Sequence, residues 1–297
     1  MSLPLPSEAQ ARVVKFSQSG PQKGVLKVIA PAGSGKTTTL LMVTLANAGK
    51  KILYVAFNRE IARSAKVKFN GYADALTINA YVRRLLIQES TAYERRIALF
   101  EEKSRDGFWG NSSRVEKFYY DRIKEIEPKT FDLEETDESE PVNMDVAALT
   151  LRRILGFAKS SAVTVEEYLK DKTDKDPLLD QVIKKAAVKF WEMFLSNSCL
   201  WPLDFLVQVK LAQTSGILER ALGSYAIVLF DEAQDASDVV LGAMKNADTK
   251  IIYVGDPHQH IYGFTGTVDA FEKIDGPVAE LTESYRFGQA IADVCNK

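Results

Sequence analysis

Cysteine and histidine are nearly absent from this chain, with two of each in 297 residues. Cys199 and Cys295 stand far apart, outside any Cys-x-x-Cys or Cys/His cluster, so neither a disulfide scaffold nor a zinc site is expected. That usage fits a reducing cytoplasm, or the nucleus of a eukaryotic cell. His258 and His260 have no third His or Cys nearby, which argues against zinc and for surface or polar-contact roles. No apolar run approaches the roughly eighteen residues of a membrane span, and Met1 to Gln10 holds prolines in place of an apolar signal core. Neither membrane insertion nor secretion is expected. Excess charge of one sign is missing too: 38 Lys and Arg against 40 Asp and Glu leave a formal net charge of −2. Bulk charge therefore does not point to a nucleic-acid partner, and any such surface must be local. Internal repeats and low-complexity tracts are also absent.

What is present is an ordinary apolar fraction, 46%, enough for one large core or two smaller ones. The apolar run Val25 to Ile29 leads into Ala30-Pro31-Ala32-Gly33-Ser34-Gly35-Lys36-Thr37, and Thr38 to Val43 follows as a helix start. Strand, glycine loop and helix in that order make a nucleoside triphosphate site. Glycines let the backbone of Ala32, Gly33, Ser34 and Gly35 turn its N–H groups toward phosphate oxygens, and the helix N-terminus through Thr38 adds partial positive charge. Lys36 is placed to reach the β and γ phosphates, and the Thr37 hydroxyl to join the shell of Mg²⁺. Ala30 stands where the general pattern has its first glycine.

The expected fold class is α/β. Gly24 to Ala48 and Lys51 to Lys68 read as βα repeats of a parallel sheet, and Tyr225 to Phe230 and Lys250 to Val254 resume the strand pattern. Between them, Tyr81 to about Gly216 reads as a mostly helical insertion, with helical periodicity in Tyr81 to Gln88, Val146 to Ala158 and Gln181 to Leu195. Its acidic run Asp132 to Glu140 is expected to be a solvated loop.

Two strand ends carry chemistry. Asp231-Glu232-Ala233-Gln234-Asp235 follows an apolar strand, as the second element of such a site requires. Asp231 is the candidate Mg²⁺ ligand and Glu232 the candidate general base for an attacking water. Read alone, the same acids also suit a helix N-terminus with no chemistry. Gly255-Asp256-Pro257-His258-Gln259 ends the next strand, with Gln259 able to donate to a γ phosphate and accept from the attacking water. Tyr262 and Phe264, near Gly263 and Gly266, read either as core or as an exposed turn able to stack on a base.

With these elements in order, the chain resembles the UvrD/Rep type of superfamily 1 helicases, and within it the F-box DNA helicase branch. Further motifs carrying the resemblance are Val55-Ala56-Phe57-Asn58-Arg59-Glu60-Ile61-Ala62 and Glu283-Ser284-Tyr285-Arg286-Phe287-Gly288. The resemblance runs from Pro6 to the end of the chain. It implies a RecA-like P-loop NTPase domain, a parallel sheet flanked by helices, over 1–82 and 217–283. It also implies a helical insertion over 83–216 and the start of a second RecA-like domain at 284–297.

The resemblance further implies that Gln10 reads the adenine edge, making ATP the nucleotide. Tyr285 would stack on adenine and Arg286 would stabilise charge on the γ phosphate, joining Lys36, Glu232 and Gln259 as catalytic candidates. Phe57 and Phe264 would stack on single-stranded bases, with Asn58, Thr77 and Asn79 beside the strand. Asn79 stands where the family has His, and Thr265 where it has Arg. The chain stops just past Arg286, so the remainder of the second RecA-like domain, with a further arginine, is expected outside it, and no F-box is expected before Pro6. The implied activity is ATP-driven translocation on single-stranded DNA and unwinding, 3′ to 5′, with RNA less favoured as substrate and with that C-terminal motor domain or a protein partner completing the machine. The alternative is an ATP-gated module that binds single-stranded DNA or protein without motor activity.

Overall fold

The computed structural model describes residues 4–105, 112–126, 146–174, 176–196, 198–259, 270–283 and 285. The chain divides into two compact units, residues 1–82 with 216–297, and residues 83–215. In chain order the first holds α1 (Glu8–Gln18), β1 (Gly24–Ile29), α2 (Lys36–Ala46), β2 (Ile52–Ala56), α3 (Arg59–Phe69) and β3 (Asp74–Thr77). Helix α4 (Ile78–Glu89) runs out of it. The second unit continues with α5 (Thr91–Arg105), α6 (Ser112–Ile126), α7 (Val146–Lys159), α8 (Val165–Leu169), α9 (Pro177–Leu195) and α10 (Phe205–Thr214). The chain then returns through α11 (Ile217–Gly223), β4 (Ile227–Asp231), α12 (Asp238–Asn246), β5 (Lys250–Gly255), α13 (Ala270–Lys273) and β6 (Val278–Glu280).

The strands form one six-stranded sheet in the order β3-β2-β4-β5-β1-β6, parallel at every pairing. Every residue of β2, β4 and β5 is buried, which is why these strands read as unbroken apolar runs: a parallel sheet covered on both faces has no solvent side to alternate toward. On one face Leu26, Val28, Tyr54, Leu229, Ile252 and Val254 pack with Val13 of α1, Leu40 and Val43 of α2, and Ala62, Ala65 and Phe69 of α3. The α/β architecture is therefore as expected. The two edge strands, β3 and β6, lie outside the strands read from sequence because four and three residues carry too little pattern.

Among the described residues, every regular element of the second unit is a helix. Its apolar centre is aromatic: Trp191 stacks on Phe194 with centroids 5.7 Å apart, and Phe157 meets Trp191 edge-on at 5.1 Å. Two buried cations are tied to backbone carbonyls. Arg96 donates through Nε to Trp201 O and through NH1 to Phe194 O, both at 2.8 Å. Lys210 Nζ donates to Ser160 O, Ala162 O and Gln213 Oε1 and sits 4.0 Å from the Phe157 ring centroid. The acidic run 132–140 falls outside the described residues. Among the described residues no helix is long and apolar enough to cross a membrane, and no group of three or more His, Cys, Asp or Glu is poised for a metal.

Candidate nucleotide site and nucleic-acid edge

The glycine loop leaves the C-terminal end of β1, the edge at which open α/β sheets bind ligands. Ala30 is wholly buried and belongs to the sheet's apolar cluster, and its N–H donates to Gly255 O at 2.8 Å. Alanine in place of the first glycine is thus a core residue whose methyl has somewhere to go. Gly33 and Gly35 are different, because their φ angles of 82° and 83° lie in the left-handed region. Gly35 is also the N-cap of α2 and offers no side chain to the helix's first N–H groups, which stay open to an anion. Ser34 Oγ is buried with no protein partner. An orphaned donor beside an uncapped helix start suits a phosphate chain.

Lys36 opens α2, and its Nζ lies 3.2 Å from Glu232 Oε2, with the two side chains 15% and 24% exposed. Glu232 is one of two described non-glycine residues with positive φ, at 53°, a conformation costing roughly 1–2 kcal/mol. Its surroundings hold it there: the Glu232 N–H donates to Asp231 Oδ1 at 3.1 Å, and Oε2 accepts from Gln234 Nε2 at 3.0 Å. The segment after β4 is only a 3₁₀ turn, Ala233–Asp235. A turn that short has almost no macrodipole for acids to serve, which disfavours the chemistry-free account of Asp231 and Glu232.

Gln234 then crosses to the next strand end. Its Oε1 accepts from the Asp256 N–H at 3.1 Å, while Asp256 Oδ1 accepts from His258 N at 3.0 Å and Oδ2 from Gln259 Nε2 at 2.6 Å. A continuous polar chain therefore runs Lys36, Glu232, Gln234, Asp256, Gln259. Nothing in the sequence assigned Gln234 or Asp256 a role, although both lie within the motifs quoted. His258 is exposed.

Asp231 is buried, 5% exposed, and burial raises its carboxyl above the usual range, against the pull of Tyr54. Tyr54 Oη donates to Asp231 Oδ2 at 2.5 Å, and burial keeps the phenol protonated far beyond neutral pH. The Asp231 carboxylate and the Thr37 hydroxyl are hard oxygen donors, the type Mg²⁺ selects. The site's residues fit the ion.

Gln10 and Tyr285 meet at the loop. A Cβ added to Gly35 would lie 3.2 Å from Gln10 Nε2 and 3.4 Å from Tyr285 Cε2. Gln10 is nearly buried and already engaged: Oε1 accepts from Ser7 N at 3.0 Å, closing a capping box on α1, and Nε2 donates to Thr39 Oγ1 at 3.0 Å. One N–H and one lone-pair direction remain for a base. Tyr285 is 63% exposed, with its N–H on Gly33 O at 2.9 Å and its hydroxyl on Glu283 Oε2 at 3.0 Å.

The proposed strand contacts gather at the other side of the same sheet edge. Phe57 and Asn58 follow β2, Thr77 ends β3, and the two strands pair with Ala56 opposite Thr77. Phe57, Asn58 and Asn79 are exposed. Asn58 Oδ1 caps α3 through Ile61 N at 2.9 Å, and Thr77, nearly buried, accepts from Ala80 N at 3.2 Å at the start of α4. From β2 to β1 are three inter-strand steps, roughly 14 Å at about 4.8 Å each. Tyr262, Phe264, Thr265 and Arg286 lie outside the described residues.

A family model described as the UvrD/REP helicase N-terminal domain matches residues 9–275. The chain belongs to that family. As a UvrD/REP helicase N-terminal domain it is similar to F-box DNA helicase protein 1 of Schizosaccharomyces pombe, 26% identical over 288 residues, which cover 92% of this chain and 30% of the relative. It is likewise similar to F-box DNA helicase 1 of Gallus gallus, 27% identical over 282 residues, covering 91% of this chain and 25% of that protein. The chain spans less than a third of the length of these relatives.

Within this UvrD/REP domain, sequence reasoning missed Tyr54, Gln234, Asp256 and the role of Gly255. A signal existed for two of them. Gly255 at the end of a fully buried strand marks a close approach, and Gln234 sits two residues from the candidate base.

Proposed function

We propose that this chain is the N-terminal motor half of an ATP-dependent single-stranded DNA translocase and helicase, moving 3′ to 5′. The observation that carries this reading is the ion pair of Lys36 and Glu232, which brings a phosphate-binding cation and a candidate base together at the ends of β1 and β4. ATP would lie with its phosphates along Gly33 to Thr38 and its base between Gln10 and Tyr285. Thr37 and Asp231 would hold Mg²⁺, which supplies charge neutralisation at the β and γ oxygens. Glu232 orients the attacking water and accepts its proton, and Gln259 contacts that water and the γ phosphate. Lys36 and Arg286 stabilise the charge that develops in line. Phe57 and Asn58 grip single-stranded DNA by stacking and backbone contact, which needs no base-edge readout.

In the family an arginine from the second RecA-like domain completes the site, and such a residue is worth about 10³ to 10⁵ in rate. These 297 residues alone are therefore expected to bind ATP and hydrolyse it slowly. The test is equilibrium binding of a fluorescent ATP analogue together with steady-state hydrolysis, with and without DNA and RNA oligonucleotides. Lys36→Ala should abolish nucleotide binding, whereas Glu232→Gln should keep binding and lose hydrolysis. Fast DNA-stimulated turnover by the 297-residue chain would overturn the incomplete-motor reading. If Glu232→Gln leaves the biological activity intact, the protein is an ATP-gated binding module and not a motor.

A further inference from the structure

Tyr54 is 1% exposed in the middle of β2, on the sheet face that packs against α1, α2 and α3. Its ring meets Phe69 edge-on with centroids 4.9 Å apart. Packing alone would be served equally by phenylalanine, which brings no buried hydroxyl that must find a partner. The hydroxyl does have a partner, Asp231 Oδ2 at 2.5 Å on the neighbouring strand β4.

We propose that Tyr54 is a positioning residue for the divalent cation, acting through Asp231. This rests on Asp231 being the metal-binding carboxylate. The Asp231 carboxylate is gripped at both ends, with Oδ2 held by the phenol and Oδ1 by the Glu232 N–H at 3.1 Å. Rotation about Cβ–Cγ is thereby stopped, and the lone pairs that remain point in fixed directions. A free carboxylate would have to be ordered when the ion or its water arrives, whereas this one is ordered beforehand. The phenol also supplies a donor to a carboxylate that burial has stripped of water, lowering the cost of keeping a charge there. Because Oδ1 also holds the backbone N–H of Glu232, the same clamp fixes the left-handed turn that presents the candidate base.

The test uses the full chain with Tyr54→Phe, titrating Mg²⁺ against the affinity for a fluorescent ATP analogue and repeating the measurement in EDTA. The expected result is an EDTA affinity within about twofold of the parent protein and a half-saturating Mg²⁺ concentration raised about tenfold, the usual effect of losing a partner behind a metal ligand. The same substitution in an Asp231→Asn background should produce no further shift, because the residue through which Tyr54 acts is already disabled. A Tyr54→Phe titration that overlays the parent overturns the proposal. So does an equal shift with and without Asp231→Asn, or a fall in EDTA affinity as large as the fall in Mg²⁺, either of which makes Tyr54 merely structural. If Asp231→Asn alone leaves the Mg²⁺ dependence intact, the assignment of Asp231 fails first, and that single variant shows it independently of Tyr54.

Discussion

Gly255 and Gln234 are fitted to each other: a Cβ on Gly255 would stand 2.2 Å from Gln234 Oε1. The same carbon would come within 2.8 Å of Phe271 Cε2 and 3.1 Å of the Ala233 backbone nitrogen. Gly255→Ala must therefore expel the Gln234 amide or move a strand end. Overpacking of this kind costs about 1–3 kcal/mol, to be read from the urea midpoint. Pairing it with Gln234→Ala should recover part of that loss, since the worst clash disappears. Hydrolysis should fall in both single variants, because each removes the link between Glu232 and Asp256.

Gln10 serves two ends at once, and two substitutions probe them. Gln10→Ala removes the capping box and the bond to Thr39 together, so stability should drop by about 1–2 kcal/mol along with nucleotide affinity. Gln10→Glu can still accept from the Ser7 N–H but has no N–H of its own. The thermal midpoint should then fall as well, since the bond to Thr39 is lost and a carboxylate is buried in its place, while preference for adenine over guanine nucleotides is lost. Nucleotide-competition binding measures the second effect.

At the strand-binding edge the same logic applies to neighbours. Phe57 is 43% exposed, and Phe57→Ala should weaken single-stranded DNA binding by about 1–3 kcal/mol, the value of one stacked base, with little change in unfolding. Asn58→Ala should mainly remove the cap of α3, costing about 1 kcal/mol of stability. Asn58→Asp keeps the cap, replaces an N–H₂ by negative charge and should lower DNA affinity alone. Fluorescence anisotropy with a labelled oligonucleotide reads the difference.

Lys210 gives the helical unit a pH dependence. Burial lowers its pKa from the ordinary 10.5 to about 7, against the opposing pull of Glu167. Below pH 7 the folded and unfolded chains both carry the proton, so no slope arises from this group. Between about 7 and 10.5 the unfolded chain binds more protons than the folded one, and stability rises with pH across that window. Lys210→Met should flatten this rise while lowering stability at every pH, because Ser160 O, Ala162 O and Gln213 Oε1 lose their donor, as measured by urea midpoints from pH 6 to 10. A slope unchanged by the substitution would assign the effect to another group.

The sequence made the sheet centre and the phosphate loop legible because both are written in short-range pattern. β1, β2, β4 and β5 are long apolar runs, and Gly33, Gly35, Lys36 and Thr37 are contiguous. What it concealed depends on lateral neighbours. Tyr54 and Asp231 are 177 positions apart in sequence, and only the pairing of β2 with β4 brings them into contact. Gln10 shows the limit from the other side: matching its motif suggested a role toward the base, yet the pattern Ser7 to Gln10 also spelled a capping box. Thr77 likewise reads as a strand contact by position, while its oxygen also accepts from the Ala80 N–H at the start of α4.

The strand order sets β4 and β5 between the phosphate loop on β1 and the exposed Phe57 beyond β2. The tips of the intervening strands offer a route for free energy exchanged between those two sides, and linkage makes the exchange symmetric. If ATP loosens the hold on DNA by a given factor, DNA loosens the hold on ATP by that same factor. A substitution at Gln234 that cuts one effect without the other would violate thermodynamics, so the two must fade together.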